Sequence, residues 1–224
     1  MVRMRSFPAD APVAPKPRLR GWIHAIAAPA ALGAGIVLAA RAPTVPAIVG
    51  AGVFTATAVV LFTVSAVYHL GTWSPRVRMI LRRTDHADIL FLIAGTYTPI
   101  AVLALRGDTR LAVLSVVWAG ALAGAGFRIA WITAPRWVYV PLYLGLGWVA
   151  LFVLPQLLRG AGLTALVLVV GGGVLYTLGG VAYALRRPDP WPRWFGYHEV
   201  FHACTAAAFA CQYLAVWIVL RHAA

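Results

Sequence analysis

Apolar residues in this chain fall in long, nearly unbroken runs, not in the alternation of half-buried strands or the one-sided stripe of a surface helix. Seven runs come close to the length that crosses a bilayer core, about 20 residues. They cover 22–40, 46–70, 86–105, 111–131, 137–155, 163–185 and 198–220. Only helices and closed barrels satisfy their backbone in hydrocarbon, and these runs are too long and too evenly apolar for barrel strands. The pattern predicts an all-α integral membrane protein, a seven-transmembrane helix bundle over residues 21–224. Residues 1–20, rich in Pro, Arg and Ala, read as a disordered basic tail. Turn signals fall between the runs: Pro43 and Pro46, a basic stretch over 71–84, Gly107 with Asp108, Pro135 with Arg136, a turn over 159–162, and Pro188, Pro190 and Pro192.

Composition agrees: 62% of the 224 residues are hydrophobic and the mean hydropathy is +0.82. The formal charge of +13 is asymmetric along the runs. With a cytoplasmic N-terminus, the inner segments hold Arg3, Arg5, Lys16, Arg18, Arg20, Arg76, Arg78, Arg82, Arg83, Arg128, Arg136, Arg186, Arg187 and Arg193. The outer segments hold only Arg41, Arg106, Arg110, Arg159 and Arg221. The positive-inside rule then puts the C-terminus outside. This orientation, with contact to anionic lipid, accounts for the charge without nucleic acid as a partner. Cys204 and Cys211 stand about 10 Å apart along one helix, too far for a mutual disulfide.

Ionisable groups are scarce, and several converge on the inner leaflet. Ser65 and His69 are one turn apart near the inner end of the second run, so they share a helix face. Asp85 and Asp88 stand at the start of the third run, where Thr84 is a candidate N-cap and acidic groups also suit the helix dipole. His198 and His202, again one turn apart, open the seventh run. Ionisable groups in membrane spans are functional suspects. Three imidazoles that meet leave a zinc coordination position open. The string His198-Glu-Val-Phe-His202 also fits the H-E-x-x-H pattern, with Glu199 as a candidate base. No carboxylate follows Glu199 to complete a zincin site. His86 reads as interfacial, and so does His24, which is also a weak candidate for supporting the site from behind its ligands.

The segments Ser65-Ala-Val-Tyr-His69, Asp85-His-Ala-Asp-Ile-Leu-Phe-Leu-Ile-Ala-Gly-Thr-Tyr-Thr-Pro99 and His198-Glu-Val-Phe-His202 resemble the hemolysin III family. That family is the bacterial branch related to the progestin and adipoQ receptors, and more distantly similar to alkaline ceramidases. The resemblance implies seven helices with an inside N-terminus, and Zn2+ held by His69, His198 and His202. It places Asp85 beside the metal and Ser65 against water or substrate. Many relatives carry a histidine where this chain has Gln212.

These features predict a zinc-dependent hydrolase of lipid amides or esters, with Asp85 and Ser65 as catalytic residues and a substrate entering from the bilayer. Two other readings are a membrane-homeostasis or sensor protein with structural zinc, and a cytolysin. The spans hold few polar residues to line a water-filled pore. Arginine outnumbers lysine by 18 to 1, which with the resemblance points to a multi-pass protein of a bacterial inner (plasma) membrane.

Overall fold

The computed structural model describes residues 16–222, all of whose regular structure is helical. Seven α-helices follow in order: α1 (Trp22–Arg41), α2 (Val45–Leu70), α3 (Pro75–Ala104), α4 (Gly107–Ala130), α5 (Arg136–Gly147), α6 (Leu154–Leu185) and α7 (Tyr197–His222). A 3₁₀ segment, Trp148–Val153, joins α5 to α6. Six stretches among the described residues are long and apolar enough to cross a membrane. Five are single helices, and the sixth, Arg136–Leu185, takes in α5, the 3₁₀ segment and α6, where the sequence predicts two spans separated by a loop over 159–162. In place of that loop the helix breaks at one residue, Gly162, whose φ of 79° is open to glycine and strained for any side chain.

Packing is inverted relative to a water-soluble domain. Large apolar side chains such as Ile26, Ile36, Leu163 and Phe152 face outward, as a hydrocarbon solvent permits. Helix α3 lies at the centre and contacts α2, α4, α5, α6 and α7. About two-thirds of its most apolar stretch (67%) is buried, against 22% for α1. Helix α7 closes the bundle by packing on α6, α1 and α3.

One helix start and the N-terminal segment differ from the sequence expectation. The third helix begins at Pro75 and not near residue 86, because Ser74 caps it and Pro75 presets its first turn. Thr84 is therefore no cap; its hydroxyl donates to the Ile80 carbonyl at 3.1 Å. Asp85 and Asp88 lie more than two turns inside the helix, so neither is there to cap it. The expected tail over 1–20 lies largely outside the described residues. Its last part, 16–20, is tied down: the Arg18 and Leu19 amides donate to the carbonyls of Arg193 and Trp194, at 3.0 and 3.1 Å. Backbone pairing with the loop before α7, plus the Arg20 pair with Glu199, overrides its disorder-like composition.

Candidate functional site

The C-terminal end of α2, the first half of α3 and the N-terminal end of α7 meet at the histidines. His69 ends α2, and His198 and His202 occupy the first two turns of α7. Each offers a ring nitrogen, and the three nitrogens all lie within 4.8 Å of one another. The ring centroids are 4.8 Å apart for His69 and His198, 5.1 Å for His69 and His202, and 4.6 Å for His198 and His202. Asp85 of α3 brings Oδ2 to 4.0 Å from His69 Nε2 and 3.7 Å from His86 Nδ1. Ser65, buried one turn below His69, lies beside the Asp85 carboxyl. The structure thus gathers Ser65, His69, Asp85, His198 and His202 into one place. Asp88 is buried on the same helix with Oδ2 unpartnered.

The donor set fits a metal ion. His69 Nε2 and His202 Nδ1 are buried with no hydrogen-bond partner, a condition that costs about 1–3 kcal/mol per group unless something fills it. His69, His198 and His202 would hold such an ion with one imidazole nitrogen each.

Glu199 does not join this group. Its side chain is fully buried, accepts from the Gly196 amide at 2.9 Å, and pairs with Arg20. This is the reciprocal half of a capping box at the start of α7. The H-E-x-x-H string is present, and its glutamate serves the helix start and the strap over 16–20.

Sequence reasoning underrated two groups. His24 is 2% exposed and stacks on His202 at 3.8 Å and 13°, with both ring nitrogens unpartnered. A histidine inside an apolar run was the available signal. Arg128 is 1% exposed, sits over the Tyr139 ring at 4.0 Å and donates to the Trp131 carbonyl. It reads as an inner-loop charge in the sequence and is instead part of the bundle. His86, expected at the interface, faces Asp85.

The chain matches the model of the "Haemolysin-III related" family over residues 13–213. It belongs to that family. A hemolysin-3 homolog of Bacillus subtilis (strain 168) is 30% identical over 184 residues, covering 81% of this chain and 82% of the relative. Hemolysin-3 of Bacillus cereus is 27% identical over 199 residues, covering 86% of each.

In this haemolysin-III related chain two cavities meet at the histidines. One runs from Asp85 and His198 up the bundle to Leu157 and Val113. Its walls are mainly aliphatic and aromatic. The other opens toward the strap and is lined by Lys16, Arg20, Arg78 and Arg82 beside His69. Partial covering, then repulsion from Arg20 and Arg78, lowers the Lys16 ammonium below its ordinary pKa, with Glu199 opposing. Lys16 also donates to the His69 carbonyl. Gly21 fits the strap to the site: its φ is 93°, and a Cβ there would meet His69 Cβ at 2.9 Å.

Proposed function

We propose that this chain is a zinc-dependent intramembrane hydrolase of lipid amides or esters in a bacterial plasma membrane. In this reading it crosses the bilayer seven times, with the N-terminus in the cytoplasm. The observation that carries the proposal is the three-histidine cluster with Asp85 at the mouth of a long apolar cavity. A stretch of 50 residues, Arg136–Leu185, would measure about 75 Å as one straight helix, more than twice a bilayer core. Its break at Gly162 supports two crossings.

His69, His198 and His202 would hold the zinc, which when bound supplies a Lewis acid and lowers the pKa of water to about 7. The apolar walls take an acyl chain and keep bulk water from the reacting carbonyl. Asp85 accepts the proton of the attacking water and returns it to the leaving nitrogen or oxygen. Ser65, beside that carboxyl, orients the water or donates to the developing oxyanion. Burial of His24 against His202 fixes the ring plane of one ligand.

A second reading keeps the zinc and drops turnover: with Asp85 as a fourth ligand, the ion would pin α2, α3 and α7 in a sensor. The 4.0 Å approach of Asp85 to His69 favours this variant. The names of the Bacillus relatives suggest cytolysis, which calls for a wet path; the apolar walls favour lipid there.

The test is metal content and hydrolysis of ceramide-like and acyl-ester lipids by purified protein, wild type beside His202→Ala and Asp85→Asn. About one zinc per chain, lost in His202→Ala, with turnover lost in both variants, supports the hydrolase. Zinc held by wild type and weakened in Asp85→Asn, with no turnover of any lipid, favours the sensor. No zinc in folded wild type overturns both.

A further inference from the structure

The basic cavity is not explained by the histidine site, and orientation alone accounts poorly for its arrangement. Arginine content at an inner leaflet requires only that positive charge be present. Here the charge is sorted by face. Arg78, Arg82 and His86 recur every four residues along α3, so they form one ridge, and all three line the basic cavity. Arg76, two residues before Arg78 on the same helix, does not line it.

Four cationic side chains therefore surround one space. Of these, Arg20 is matched by Glu199, and Lys16 is bonded to a backbone carbonyl. Arg78 and Arg82 make no ion pair among the described residues. Asp189 also lines the cavity, but its Oδ1 is engaged by the Tyr197 amide at 3.1 Å. The result is a concave surface with surplus positive charge and free guanidinium forks, which favours a planar or tetrahedral oxyanion.

Position identifies the rest of the ligand. His86, Tyr183 and His198 line both cavities. A single molecule spanning the two would have an apolar chain in the bundle, its polar linkage at the histidines and an anionic group among the arginines. We propose that the basic cavity binds the phosphate-bearing headgroup of an acyl lipid whose chain occupies the apolar cavity. This rests on the lipid reading of the apolar cavity, and it narrows the substrate class to acyl lipids with a phosphate near the acyl linkage.

Binding separates this inference from turnover. Purified protein in neutral detergent would be titrated with an 18-carbon lysophosphatidate, with the monoacylglycerol of the same chain, and with inorganic phosphate. Affinity would be read by native mass spectrometry and by tryptophan quenching. Wild type should prefer lysophosphatidate over monoacylglycerol by about tenfold or more, since two or more charge-assisted hydrogen bonds are at stake. Arg78→Gln/Arg82→Gln should lose that preference, and Arg76→Gln should keep it. His202→Ala should also keep it, since the preference needs no turnover; wild type that binds in this way but hydrolyses no lipid would overturn the hydrolase and leave the headgroup site standing. Equal binding of the two lipids, or a preference that survives the double substitution, would overturn the headgroup site. Inorganic phosphate binding as tightly as lysophosphatidate would overturn the lipid source of the phosphate.

Discussion

Glu199 offers a sharp separation between two roles. If it were the base of a zincin-like centre, Glu199→Ala would remove activity and leave the fold intact. The structure gives it structural work: it is fully buried, pairs with Arg20 and accepts from the Gly196 amide at 2.9 Å. Removing one partner of a buried ion pair costs about 3–5 kcal/mol. The Arg20 side chain is 16% exposed and borders the basic cavity, so it recovers some hydration and the lower figure, about 3 kcal/mol, is the better expectation. For a chain of this size that is a melting shift of roughly 6–12 °C. Glu199→Gln keeps an acceptor for the Gly196 amide and should fall by about half as much. Arg20→Ala/Glu199→Ala should cost less than the sum of the single changes, because each single change strands a partner. Thermal unfolding in detergent, followed by tryptophan fluorescence and circular dichroism, measures all four variants. An unchanged melting temperature in Glu199→Ala, or strictly additive single changes, would refute the structural role.

Other expectations are independent of that pair. Chelation of metal-loaded protein should lower its melting temperature, and the shift should vanish in His69→Ala and His202→Ala, which lack the ligand set. Asp85→Asn should reduce turnover by about 10²–10⁴-fold with zinc retained, and Ser65→Ala should reduce it less; pre-steady-state assays on an active lipid would show the order. His24→Phe preserves stacking on His202 and removes two unpartnered buried nitrogens, so the fold should be unchanged or more stable by about 1 kcal/mol, read as a melting shift. Gly21→Ala should destabilise by more than 1 kcal/mol, about that for the positive φ alone with the approach to His69 added, and the same melt would detect it.

The spans were legible because hydrocarbon tolerates so few polar residues that run length alone marks a helix. The histidines were legible for the same reason: topology from arginine placement brings residues 69, 85, 198 and 202 to one leaflet without any structure. Local capping chemistry was harder. Thr84 and Asp85 look like a helix start, but Ser74-Pro75 is the stronger start signal and wins, moving Asp85 from a cap to the interior. The break at Gly162 replaces the loop expected over 159–162, since one glycine with positive φ redirects a chain that has no need of a polar connection. Contacts between chain ends leave no local pattern at all. Nothing near His24 in the sequence announces a stack on His202, and nothing near Arg20 announces Glu199.

Those end-to-end contacts have a consequence for biogenesis. Arg20 and Glu199 are separated by 179 positions, and His24 meets His202 across a similar span. The first helix enters the membrane early in synthesis, and α7 enters last. Two of the three clustered histidines and the partner of the strap arrive only with α7, so no partly synthesised chain holds the whole cluster. During translation the nascent protein exposes a lone His69 and an unpaired Arg20, neither of which captures an ion tightly. On the zinc reading, metal loading would report completed insertion, and any chain truncated before α7 would remain empty and be open to quality-control proteolysis.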